Sequence, residues 1–188
     1  MNRIIALFFL LISVSAATAD PVAYTLQPEL SDVGFTYRLN AEKQRGTMPI
    51  QQATVQIDFE ELAQSSVDVV LSAKEATTKL PFVNEAMKSS KVLDTKNHPS
   101  IRFKSQSITG TTSNAQIKGD LTIRGETRPV TLTARLYRQR GQAADDLTKL
   151  TILLTGTISR KAFGADGFPE FVKDEIGLNI RARIESAE

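Results

Sequence analysis

Apolar and polar residues alternate through most of this chain, the period of strands with one buried and one wet face. The in-phase apolar sets are Val33, Phe35, Tyr37 and Leu39; Val55, Ile57 and Phe59; Val67, Val69 and Leu71; Ile101 and Phe103; Ile117, Leu121 and Ile123; Val130, Leu132 and Leu136; Leu150, Ile152, Leu154 and Ile158; and Ile176, Leu178, Ile180 and Ile184. With a shorter candidate over residues 23–27, eight or nine strands are predicted. The opposite phase is polar, with Thr36, Arg38, Gln56, Asp58, Arg102, Lys104, Lys118, Asp120, Arg124, Arg135, Arg181 and Arg183 where solvent should lie. Parallel strands covered by helices on both faces would read as continuous apolar runs, so the sheet is expected to be antiparallel. In "RGETRP", Gly125 marks a hairpin turn and Pro129 a strand start, where its missing N–H does least harm.

Two segments break the alternation. In "KLPFVNEAMKSS", residues 79–90, Leu80, Val83 and Met87 fall three and four apart, which predicts a short helix with Pro81 in its first turn. The other is "SRKAFGADGFPEFVKDE", residues 159–175, a connection long enough to suggest function, carrying Phe163, Phe168 and Phe171. The class is therefore all-β: a single antiparallel eight-stranded barrel with one short helix and a long capping loop. A barrel is preferred to a sandwich because closure removes exposed strand edges. Eight strands leave an interior that side chains can fill or that can hold one slender ligand. Small residues in the inward phase, Ala73, Gly119, Ala134, Gly156 and Ala182, either leave volume there or complement large neighbours.

The N-terminus changes the compartment. Arg3, an apolar run from Ile4 to Leu11 and the triplet Ala17-Thr18-Ala19 have the layout of a secretory signal peptide over residues 1–19, too short to span a bilayer. That leaves residues 20–188 as one domain, exported to the periplasm in a Gram-negative cell. Loss of Arg3 takes the formal charge from +2 to +1, a near balance that argues against nucleic acid as a partner. There is no cysteine, so neither disulfides nor thiolate chemistry contribute.

Reactive groups are sparse. His98 is the single histidine, in "KNHPS", and no "GxSxG" elbow accompanies it. Asp166, Glu170, Asp174 and Glu175 cluster in the long connection, but their spacing matches no EF-hand loop and Lys161 and Lys173 interleave with them. Neither a metal nor a cofactor is expected, and there is no glycine-rich phosphate loop. The scattered basic residues allow a transient contact with an anionic membrane surface.

Three stretches then carry a resemblance. "VLDTKNHPSIRFKSQSI", "IKGDLTIRGETRPVTL" and "ISRKAFG" with "VKDEIGLNIRARIESA" look like the YceI-like family of polyisoprenoid-binding proteins. The resemblance implies a lipocalin-like barrel whose lumen holds an isoprenoid or another long amphiphilic chain. It also places a helical insert at Leu80 to Ser89 and a capping loop at Arg160 to Asp174. The chain departs from the family in having no histidine in the helix, and Lys91-Val92 where an acidic-aromatic pair is usual.

The expected function is non-catalytic binding, transport or storage of a polyisoprenoid or similar amphiphile. Phe35, Tyr37, Leu39, Phe103, Leu121, Ile123, Leu132 and Leu136 are expected to line the lumen, with Tyr37 able to hydrogen-bond a head group. Phe82, Met87, Phe163, Phe168 and Phe171 are expected near an opening. Two alternatives stay open: a hydrolase or isomerase using His98 with a loop carboxylate, and a solid-cored barrel that binds a protein partner.

Overall fold

A computed structural model describes residues 20–139, 141–143 and 145–187, so the expected signal segment, residues 1–19, lies outside the described residues. Among the described residues, eleven strands form a single sheet that closes on itself, accompanied by one α-helix. The strands are β1 (Val22–Leu26), β2 (Asp32–Leu39), β3 (Glu42–Thr47), β4 (Ile50–Ile57), β5 (Ser66–Ser72), β6 (Thr77–Thr78), β7 (Ser100–Thr111), β8 (Asn114–Ile123), β9 (Glu126–Arg138), β10 (Lys149–Ser159) and β11 (Glu175–Ser186); the helix α1 spans Pro81–Lys88.

The ring runs β1-β4-β5-β7-β8-β9-β10-β11 and returns to β1, eight antiparallel strands. Two wall positions are each built from two pieces. β1 pairs with the end of β11 (Leu26 opposite Ile184), and β2 with its beginning (Phe35 opposite Leu178). Pro28 opens the short 3₁₀ turn between β1 and β2, and Pro49 separates β3 from β4. Each proline removes a ladder N–H at a bend, where the wall changes direction. β3, "EKQRGT", has no apolar stripe, so the alternation missed it; pairing with β2 fixes it instead.

Inward residues form two packed clusters. At one end, Tyr24, Ile57, Ile108, Ala134, Leu150 and Ile184 interlock, and the Tyr24 hydroxyl donates to the Leu147 carbonyl at 2.7 Å. This end is sealed by side chains. Towards the other end, Met48, Ala73, Ala76, Ile101, Leu121, Ile123 and Phe163 pack beneath a cap. The cap is made of α1 with the turns that follow it, the β8–β9 turn, and the 160–174 connection. Arg124 and Gly125 both have positive φ, as a two-residue turn from Ile123 to Glu126 demands. Arg124 carries that conformation without glycine's freedom, and its Nη1 donates to the Ser90 and Val92 carbonyls, tying turn to cap.

Small inward residues divide between the two roles open to them. At Gly119 the Phe103 ring occupies the space a Cβ would need, and at Gly156 a Leu132 methyl does so. These glycines are filled by large neighbours. Ala134 is packed into the sealed end and Ala73 into the cap, whereas Ala182 borders empty volume.

Candidate functional site

Between the two clusters lies a cavity of about 240 Å³. Its wall is drawn from both halves of the ring: Val55 on β4, Val69 on β5, Phe103 on β7, Leu121 on β8, Leu132 on β9 and Ile152 on β10 are representative. Each comes from the apolar phase of its strand, because inward alternation around a closed ring delivers every second side chain to the same interior. Met87, Val92 and Leu93 reach it from the α1 segment, and Phe163 and Ala165 from the 160–174 connection.

One charged side chain borders this volume, Arg160. Only 6% exposed, it directs Nε to the Lys173 carbonyl (3.1 Å), Nη1 to those of Ala165 and Gly167 (2.9 Å to the latter), and Nη2 to that of Val172 (2.9 Å). A guanidinium supplies rigidly placed donors, so one side chain holds both legs of the connection together. Burial pushes its pKa below the ordinary guanidinium value, while Asp174 and Asp166 act in the opposite direction.

Asp174 fastens the outside of the same connection. Its carboxylate accepts from the Lys161 backbone N–H at 2.9 Å and from the Ser159 hydroxyl at 2.8 Å. The Lys161 N–H, ahead of the Ser159 hydroxyl, holds this carboxyl below the usual carboxylate range, with desolvation opposing. A folded-state pKa below the unfolded value means that the contribution is complete above roughly pH 4–5 and is lost as pH falls through the folded value. Asp174→Asn is therefore expected to lower the melting temperature at pH 7 by about 2–4 °C, for a charge-assisted interaction worth about 1 kcal/mol after discounting for exposure. The gap to the parent should close below about pH 3 in a thermal melt series, because protonation removes the same interaction from both chains.

The residues expected to bind a ligand fall into two groups. Phe35, Met87, Phe103, Leu121, Ile123, Leu132 and Phe163 lie on the cavity wall. Tyr37, Leu39 and Leu136, expected in the lumen, do not border this cavity. Leu39 bridges to Val172 under the 160–174 connection, and Leu136 packs against the sealed-end cluster. Tyr37 shares the phase of Phe35, with ring centroids 6.1 Å apart, but does not border the cavity; its hydroxyl is buried without a hydrogen-bond partner among the described residues.

Phe82, Phe168 and Phe171 sit on the cap rather than on the wall. Phe82 and Phe171 are 64% and 55% exposed, and Phe168 lies 5.7 Å from the Lys91 ammonium. Helical spacing turned Met87 inward and left Phe82 outside, a difference of face that residue type alone does not reveal. Arg160 was missed because a basic residue in a polar connection reads as solvated. The signal available was its position: it opens a long segment whose backbone carbonyls had no ladder to pair with.

The groups considered for catalysis are arranged otherwise. His98 lies against the β8–β9 turn, its Cε1 3.0 Å from where a Cβ on Gly125 would stand. Among the described residues no group of three or more His, Cys, Asp or Glu is placed to hold a metal ion. Nor, among them, is any helix long and apolar enough to cross a membrane.

Comparison with known proteins gives the same architecture a context. The YceI-like domain matches residues 24–184. Protein YceI of Escherichia coli O17:K52:H18 is 27% identical over 141 residues, covering 73% of this chain and 74% of that protein. The crystal structure of Burkholderia cenocepacia BcnA superposes with a TM-score of 0.75 at 19% identity, over 85% of this chain and 99% of that one. A polyisoprenoid binding domain from Saccharophagus degradans, implicated in plant cell wall breakdown, gives a TM-score of 0.62 at 10% identity, over 88% and 99% of the two chains. At such identities the structural likeness establishes the fold.

Proposed function

We propose, since the chain belongs to the YceI-like domain family and its barrel encloses an apolar cavity, that it binds the tail of a polyisoprenoid or similar amphiphilic lipid there, as a carrier or store rather than an enzyme. The observation that carries this reading is the cavity wall, apolar except where Arg160 borders it. Such a wall offers a substrate nothing to react with, but removes hydrocarbon from water. Burial contributes about 0.8 kcal/mol per CH₂, so a five-carbon isoprene unit brings roughly 4 kcal/mol as an upper figure. Association and ordering cost about 4–15 kcal/mol, so three or four enclosed units hold a ligand without strong polar contacts.

The cavity is smaller than the roughly 300–1,000 Å³ that holds a drug-sized ligand. A long tail must therefore displace side chains as it enters. Met48 and Met87, on the wall beneath the cap, suit that demand because an unbranched thioether repacks at low cost. At the sealed end Leu150 is 1% exposed and does not border the cavity. Loading through the cap follows. Residues 1–19 and the family likeness support export to the periplasm, where a shielded tail crosses the aqueous space between membranes.

Mass spectrometry of an organic extract from gently purified protein tests the reading. A stoichiometric lipid of extended hydrocarbon character is the expected result. Protein that carries none, and that takes up no isoprenoid from detergent-free dispersions, would overturn it.

A further inference from the structure

The two most exposed large apolar side chains among the described residues are Phe82 and Phe171, and both belong to the cap. Phe82 lies in the first turn of α1. Phe171 ends the stretch Phe168-Pro169-Glu170-Phe171 in the 160–174 connection. Polar side chains would suffice on a cap that only shields a cavity, so two rings left in water at this end call for a surface that covers them.

The second ring stands on a stiff mount. Phe168 has a φ of 57°, a left-handed conformation that is costly for a bulky side chain and that the surroundings must enforce. Its carbonyl accepts from the N–H groups of Phe171 (3.1 Å) and Val172 (3.0 Å), and the Phe171 carbonyl accepts from the Asn40 N–H at 2.7 Å. On the other side the Gly167 N–H donates to the Lys91 carbonyl at 2.9 Å. The turn is thus pinned on both flanks while the Phe171 ring stays exposed.

Charge indicates the kind of surface. In the helical half of the cap Lys79, Lys88, Lys91 and Lys96 outnumber Glu85 and Asp94, and among the described residues none of the four lysines forms an ion pair. The Lys91 ammonium lies 5.7 Å from the Phe168 ring, which places a cation beside the aromatic turn. In the other half Arg160, Lys161 and Lys173 balance Asp166, Glu170 and Asp174. Interfaces between proteins favour arginine and tyrosine and are poor in lysine. Exposed phenyl rings among lysines are the composition that settles at the boundary of an anionic bilayer.

Building on the lipid-binding reading, we propose that the cap docks on a bilayer with anionic head groups, Phe82 and Phe171 entering the head-group boundary and the lysines selecting its charge. A tail then passes between bilayer and cavity without crossing water. The acidic residues of the cap keep the attraction modest, so the rings carry the binding and the charge chooses the surface.

The chain contains no tryptophan, so Phe171→Trp supplies a single fluorescent reporter that keeps an aromatic ring in place. Its emission is expected to shift to the blue on vesicles of phosphatidylethanolamine and phosphatidylglycerol, and to be quenched by brominated acyl chains. In sedimentation with the same vesicles, Phe82→Ser and Phe171→Ser should each weaken binding by about tenfold, the size expected from losing the burial of a ring already half exposed. Tyr137→Ser removes a comparably exposed ring from β9 and should change nothing. Neutral phosphatidylcholine vesicles should bind about tenfold more weakly than the anionic ones. Parent protein that ignores the vesicles, or unshifted emission in Phe171→Trp, would overturn the proposal and assign the rings to a protein partner. Equal binding of neutral vesicles, a Phe82→Ser or Phe171→Ser variant that binds like the parent, or an equal loss in Tyr137→Ser would overturn it as well. Lipid extracted from the same preparations keeps the two readings apart: protein that docks but carries no lipid removes the carrier reading alone, and loaded protein that does not dock removes the docking alone.

Discussion

Replacing Arg160 with methionine is expected to lower the melting temperature by about 6–12 °C and to leave the purified protein without lipid. Four backbone carbonyls lose their donor at once, at Lys173, Ala165, Gly167 and Val172. Hydrogen bonds from a charged group contribute about 1.5–3 kcal/mol each, but removing the ion also recovers the desolvation cost of burying it. A net loss of about 3 kcal/mol is the balance, and in a domain of this size each kcal/mol shifts the melting temperature by about 2–4 °C. Methionine keeps an unbranched apolar stem of similar reach, so the loss reports the hydrogen bonds more than the packing.

Function follows because the same connection carries Phe163 and Ala165 on the cavity wall. Hydrogen exchange locates the effect. The Ala165 and Gly167 amides, which donate to the carbonyls of Arg160 and Lys91, should exchange much faster in the variant, with those of β7 and β8 unaffected. A variant with native melting temperature and native lipid content would show that the guanidinium is dispensable to the cap.

How the fold could be read from sequence, and where that reading stops, is visible in pairs of residues. Leu121 and Leu132 obey a period of two on strands that a ring must turn inward, so alternation places them on the wall. Leu136 obeys the same period and still misses the cavity, because alternation fixes the face of a strand and not the height along it. Gly119 and Gly156 look like sources of volume, yet Phe103 and Leu132 lean across from neighbouring strands to fill them. Whether a small residue makes a void depends on its cross-strand neighbour, which a one-dimensional pattern does not specify. The 160–174 connection was legible as unusual through its length and three phenylalanines. Its internal organisation around a buried arginine was not, since that depends on carbonyl directions set by the folded backbone.

Ala182→Phe should weaken isoprenoid binding by up to about a thousandfold while moving the melting temperature by no more than about 3 °C. Ala182 stands on β11 opposite Ile152, and both border the cavity. A phenyl ring there takes the space of about one isoprene unit, whose burial contributes up to roughly 4 kcal/mol, or about three decades in affinity. In a filled interior the same insertion would cost about 1–3 kcal/mol of stability through forced rotamers and backbone shifts. In a void it has room, and its own burial offsets much of the strain that remains. The two measurements therefore separate a hollow barrel from a solid one: undiminished binding with a fall in melting temperature would mean that Ala182 faces packed protein, and that a tail lies elsewhere if it lies in the barrel at all.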